Sequence, residues 1–112
     1  MADDLDGIAN NTMSSSGMKP DELARELAQL GPRWSVVNNE LVLALRGAPM
    51  AKCGAAVAHA AKLADEMDHH PRIVMEYAGT TLSINTHDKK AITMLDLVYA
   101  ARLERWLRDN GW

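Results

Sequence analysis

A chain of 112 residues has room for one domain with one core, and a formal charge of −3 gives it no pull towards a phosphate backbone. Its 12 Lys and Arg form no basic run and only 4% of residues are aromatic, so nucleic-acid binding has neither electrostatic nor stacking support. No stretch approaches 18 consecutive apolar residues, which argues against a membrane span, and the single cysteine, Cys53, excludes an intramolecular disulfide and fits a reducing, cytoplasmic location.

Residues 1–18 differ in composition from the rest. Asp3, Asp4 and Asp6, two asparagines, three serines and two glycines leave too little apolar surface to offset the entropy of ordering. The stretch is expected to be a disordered tail, and its acidity and lack of an apolar run exclude a secretory signal. The folded domain is then 19–112.

Pro20, followed by Asp21 and Glu22, suits a helix start, and Leu23, Leu27 and Leu30 make one stripe before Gly31-Pro32 ends the element. Residues 34–37 and 40–45 are β-prone on either side of Asn38-Asn39, a pair that tolerates left-handed backbone and so predicts a hairpin. From 50 to 67 the period becomes helical, with Cys53, Val57, Ala60, Ala64 and Met67 on one stripe and Gly54-Ala55-Ala56 making the helix slim. Strands are expected over 72–78 and 81–86 around Gly79. Thr93 with Asp96 three residues on resembles a capping box opening a last helix to about Asp109. Apolar residues on more than one side of that helix suggest cover from a partner subunit. The order α-β-β-α-β-β-α predicts an α+β fold, a four-stranded antiparallel sheet with three helices on one face.

Three of the four histidines fall in two short segments, Asp68-His69-His70-Pro71 and Thr86-His87-Asp88. Pro71 favours extended backbone at His70, so His69 and His70 point apart; they grip one metal ion poorly but can line two walls of a cleft. Pairing of the last two strands would return His87 to the same end of the sheet. Asp68 and Asp88 flank the histidines and could orient an imidazole or hold a donor on a ligand. The spacing favours acid–base chemistry over zinc, which usually shows histidines at i, i+4 when they share a helix. His59 reads as structural, Trp34 as a hairpin anchor, Cys53 as a buried small hydrophobe, and Trp106 and Trp112 as packing or interface residues. Residue chemistry alone reaches a histidine-lined cleft and no further.

The run Asp65-Glu66-Met67-Asp68-His69-His70-Pro71, then Tyr77, then Leu82 to Asp88, then Thr93 and Asp96, resembles the pterin-4a-carbinolamine dehydratases. The resemblance is strong over 65–101 and collinear over 20–63. It implies a homodimer or homotetramer that converts 4a-hydroxytetrahydropterin into quinonoid dihydropterin and water, recycling the cofactor of aromatic amino-acid hydroxylases, with no metal or bound cofactor of its own. His69, His70 and His87 would be the catalytic histidines. Trp34, Asp68, Asn85, Thr86 and Asp88 would contact the pterin. His69 and His87 would handle the leaving hydroxyl while His70 grips the substrate.

Members commonly carry Gly-Gly and Leu-Thr after the third histidine. Here the chain reads Asp88-Lys89-Lys90-Ala91-Ile92-Thr93, which removes easy access to positive φ and sets two lysines beside the cleft. Phenylalanines usual in the second strand and helix are also absent. These departures keep open a second class, the dehydratase-like Rubisco assembly factors that keep the fold without the enzymology. The transcription-coactivator role of some animal members finds no specific support.

Overall fold

Pro20, with its fixed φ, opens the helix Pro20–Leu30, and the Glu22 carboxylate turns back to accept a hydrogen bond from the Lys19 backbone N–H at 3.3 Å. The computed structural model describes residues 4–9 and 18–112. In chain order the elements are α1 (Asp4–Ala9), α2 (Pro20–Leu30), β1 (Trp34–Val37), β2 (Glu40–Leu45), α3 (Met50–Met67), β3 (Arg72–Glu76), β4 (Gly79–Ile84) and α4 (Met94–Asp109).

The strands form one antiparallel sheet in the order β1-β2-β4-β3. Asn38 and Asn39 both take positive φ, 51° and 62°, as the tight β1–β2 turn requires. The second hairpin turns at Tyr77-Ala78, two residues earlier than expected, and Gly79 with φ 155° already pairs with Glu76 as the first residue of β4. A Cβ at Gly79 would press on the Leu45 carbonyl at 3.3 Å, so the glycine serves close strand approach and not the turn itself.

Alternation places Leu41, Leu43 and Leu45 of β2 and Leu82 and Ile84 of β4 on the buried face. There they join Leu30, Cys53, Ala56, Ala60, Leu63, Leu97, Leu103 and Leu107 from the three long helices in one core. The slim face of α3 lets β3 approach, with Met75 Cε 3.6 Å from where a Cβ of Gly54 would stand. Among the described residues no helix is long and apolar enough to cross a membrane.

Two expectations change. Part of the stretch expected to be a disordered tail is ordered: α1 packs against α4, with Leu5, Ile8 and Ala9 buried and Arg102 Nε donating to the Ala9 carbonyl at 3.0 Å. Composition averaged over 18 residues hid these apolar side chains, whose burial is worth roughly 2 kcal/mol for each of Leu5 and Ile8. The remainder of that stretch, 1–3 and 10–17, lies outside the described residues. α1 also covers a flank of α4, so a fourth helix of the same chain does part of the work expected of a partner subunit.

Candidate active site

The first histidine segment is aimed by how α3 stops. Asp68 takes left-handed backbone (φ 49°, ψ 47°), a conformation Asp tolerates better than most residues. Its N–H bonds to the Asp65 carbonyl at 3.3 Å and the His69 N–H to the Ala64 carbonyl at 3.0 Å, the paired closure of a Schellman motif. This reversal drives His69 inward, to 8% exposure, and leaves His70 facing solvent, where Nε2 lies 3.1 Å from Asp65 Oδ1. The two neighbours point apart, as the extended geometry before Pro71 requires.

Inside, His69 meets Asp96. Nε2 of His69 and Oδ1 of Asp96 are 2.5 Å apart, and the carboxylate is fully buried. Its Oδ2 accepts from the Thr86 hydroxyl at 2.9 Å and from the Thr93 N–H at 2.8 Å, while the Thr86 and Thr93 hydroxyls lie 2.7 Å apart. A carboxylate only accepts, so paired with an ionised Asp96 the His69 ring donates through Nε2, and this contact fixes the ring's orientation. Asp96 lies in the first turn of α4, where the helix dipole favours its charge.

Thr86 ties the second histidine segment to the same carboxylate. Continuing the Arg72↔Ser83 register beyond β3 and β4 brings His70 level with Asn85 and His69 level with Thr86. Asn85 Nδ2 reaches the Asn39 carbonyl at 3.5 Å, drawing the β1–β2 turn to this end of the sheet. His87 and Asp88 begin an exposed turn closed by Thr86 N–H to Ala91 carbonyl (3.0 Å), Lys89 N–H to Thr86 carbonyl (3.0 Å) and Lys90 N–H to His87 carbonyl (3.2 Å). The turn is made without glycine: Lys90 adopts φ 49°, at a cost of about 1–2 kcal/mol. Outside it, the Met18 N–H bonds to the Ile92 carbonyl at 3.2 Å.

The sheet end thus gathers Asp68, His69, His70, Asn85, Thr86, His87 and Asp88. Trp34 stands apart. It pairs with Leu43, one row and more from the histidines, and its indole N–H donates to Glu104 Oε1 at 3.0 Å, so it is a core anchor. Among the described residues no group of three or more His, Cys, Asp or Glu is arranged to hold a metal ion. Asp96 is the residue that sequence reasoning credits only with capping; its Thr-x-x-Asp spacing was the available signal.

The comparisons with known proteins agree with this geometry. A family model described as pterin 4 alpha carbinolamine dehydratase matches residues 16–106. A relative from Chloroflexus aurantiacus, provisionally named pterin-4-alpha-carbinolamine dehydratase, is 40% identical over 83 residues, which cover 74% of this chain and 88% of the relative. A Streptomyces coelicolor protein with the same provisional name is 31% identical over 100 residues, 88% of this chain and 98% of that one. The chain belongs to the pterin-4a-carbinolamine dehydratase family. The crystal structure of a transcriptional coactivator/pterin dehydratase from Brucella melitensis superposes on it with a TM-score of 0.73, covering 80% of this chain and 97% of that one; at 22% identity this likeness establishes the shared fold. The family match begins beyond α1 and takes in every residue of the histidine site.

Proposed function

We infer that this chain is a hydro-lyase that dehydrates a 4a-hydroxytetrahydropterin to the quinonoid dihydropterin, recycling the pterin cofactor of aromatic amino-acid hydroxylases. The observation that carries this is the buried carboxylate of Asp96, which holds His69 and Thr86 at once and so fastens both histidine segments at one end of the sheet.

The chemistry divides between the histidines. The C4a–O bond breaks as the leaving oxygen takes a proton from an imidazolium and departs as water. A neutral imidazole takes the proton that leaves the ring system as the new double bond forms. With an ordinary pKa of about 6.5, histidine supplies both forms near neutrality, and such acid–base work contributes about 10² to 10⁴ in rate. His87, exposed on its turn, and His69, oriented by Asp96, handle the hydroxyl; His70 grips the substrate together with Asp68, Asn85, Thr86 and Asp88.

Purified protein should accelerate the loss of freshly generated 4a-hydroxytetrahydropterin, followed by absorbance. His87→Ala should lower kcat/KM by about 10²-fold or more. Its thermal stability should stay close to that of the parent, because an exposed substitution moves stability by no more than about 0.5 kcal/mol. A parent chain that gives no acceleration at high concentration would sink the reading.

A further inference from the structure

The end of the sheet away from the histidines carries a second concave surface. β2 runs out at Leu45 beside the start of β4, whereas the histidine site lies by the β1–β2 turn at the other end. A cleft of about 450 Å³ opens there, lined by Arg33, Ser35, Arg46 and Trp112 among others. Small-molecule sites commonly enclose about 300–1,000 Å³, so the space is of the right order. In a chain of net charge −3 this lining has two arginines and no acid. We propose that the cleft binds a small planar aromatic anion, with its ring against Trp112 and its charged group taken by Arg46 and Arg33. The site is separate from the histidine cleft and stands whether or not the chain is a dehydratase.

Three observations bear on this. First, the Arg46 guanidinium makes no hydrogen bond or ion pair among the described residues. Its stem is placed all the same, because Cγ lies 3.3 Å from where a Cβ of Gly79 would stand and the glycine makes room for it. A planar fork held by its stem and left without a partner suits a carboxylate or a phosphate. Secondly, Arg33 gives Nε and Nη2 to Glu104, which also accepts from Arg108. One carboxylate against two guanidinium groups leaves that cluster cationic, and Nη1 of Arg33 is not used by Glu104. Thirdly, Trp112 is held from two sides. Its N–H donates to the Leu107 carbonyl at 3.0 Å, and Lys52 Nζ, bonded to the Gly111 carbonyl at 2.7 Å, stands 4.6 Å from the ring centroid. Lys52 does not line the cleft, so the ring surface that does is not the one its ammonium covers. The indole is thus a fixed apolar wall with a further positive charge close to it. A bare anion leaves the indole unused and a neutral ring leaves Arg46 unpaired, so the ligand needs both parts.

The test titrates the isotopically labelled full chain with benzoate and, separately, with phenyl phosphate, following the Trp112 indole N–H and the Ser35 backbone N–H by NMR. Both signals should move to a plateau, with a Kd of about 1 mM or tighter for at least one anion, as suits a ligand of so few atoms. The tighter of the two names the anionic group. Benzyl alcohol, which keeps the ring without the charge, and inorganic phosphate, which lacks the ring, should each bind about tenfold more weakly or worse. Arg46→Gln should weaken the better anion by about tenfold or more while Tm stays that of the parent, since the side chain is exposed and makes no bond within the fold. Trp112→Leu should weaken it as much; should that change lower stability, Arg46→Gln decides. Failure of both anions to give a saturable shift overturns the proposal. So does inorganic phosphate that binds as tightly as phenyl phosphate, or an affinity that Arg46→Gln leaves unchanged.

Discussion

Two buried carboxylates eight residues apart on α4 do different work, and their partners say which. Glu104 is gripped by three permanent donors: Arg33 through Nε at 3.1 Å and Nη2 at 2.9 Å, Trp34 through Nε1 at 3.0 Å, and Arg108 through Nε at 2.7 Å. Arg108 also donates to the Leu30 carbonyl at 3.2 Å, so one cluster joins the end of α2, the start of β1 and the last turns of α4. None of those donors exchanges protons near neutrality. Asp96 is held instead by an imidazole and two threonines, and the imidazole can exchange. A buried carboxylate among fixed cations is a fastening for the fold; under the proposed dehydratase function, the one facing a histidine at the end of a sheet positions a reacting group.

The sharpest break of this contrast is Glu104→Ala. It strands Arg33 and the Trp34 N–H beneath the surface, which should cost about 3–5 kcal/mol and lower Tm by more than about 10 °C, while activity per folded molecule stays near that of the parent. Next is Asp96→Asn, in which one acceptor oxygen becomes an NH2, so the amide cannot accept at once from His69 Nε2 and from the Thr86 hydroxyl and Thr93 N–H. Dehydratase turnover should fall by about 10²-fold, with a smaller stability loss of about 2 kcal/mol. If Asp96→Asn only lowers Tm, or Glu104→Ala abolishes turnover in folded protein, the division fails.

Acid titration tests the Glu104 half of the contrast. Burial pushes the Glu104 carboxyl up, but hydrogen bonds from Arg33, Trp34 and Arg108 and the charge of Arg33 outweigh it and hold the group below its ordinary value of 4.5. A lowered value in the folded state means that its stabilisation is complete above about 4.5 and is lost as pH falls through the folded value. Tm measured from pH 7 down to 3 should therefore drop less steeply in Glu104→Gln than in the parent. Equal slopes would show that Glu104 carries no such linkage.

Much of this was legible in the residues because local rules and tertiary packing agree. Asn38-Asn39, the leucines at every second position of β2 and Pro20 each specify their element without help. Histidine spacing and Pro71 foretell the opposed directions of His69 and His70. The rest depends on groups distant in sequence. Asp96 reads as a cap until β4 delivers Thr86 and the end of α3 delivers His69, 27 positions away. Nothing near Glu104 in the sequence marks it as buried; its partner Arg33 lies 71 positions away. Trp34 read as a pterin contact by resemblance, and its N–H is spent on that same Glu104. The α1 segment was hidden because acid and serine content describes a stretch, whereas docking depends on three apolar side chains and a facing surface.

The smallest effect tests whether the His87 turn is shaped by its own residues or imposed by its surroundings. Lys90 is held at φ 49° by the Thr86–Ala91 pairing and by the bond from its own N–H to His87. Glycine there removes the steric penalty but enlarges the unfolded ensemble, so Lys90→Gly should stabilise the chain by only about 0.5–1 kcal/mol. Chemical denaturation should show this as a raised midpoint with an unchanged slope. Turnover should be little altered, since the hydrogen bonds fixing the turn are all between backbone groups that glycine keeps. A loss of stability instead would mean that the lysine side chain itself holds the turn. The position of His87 would then rest on Lys90 and not on the Thr86–Asp96 anchor that fixes His69.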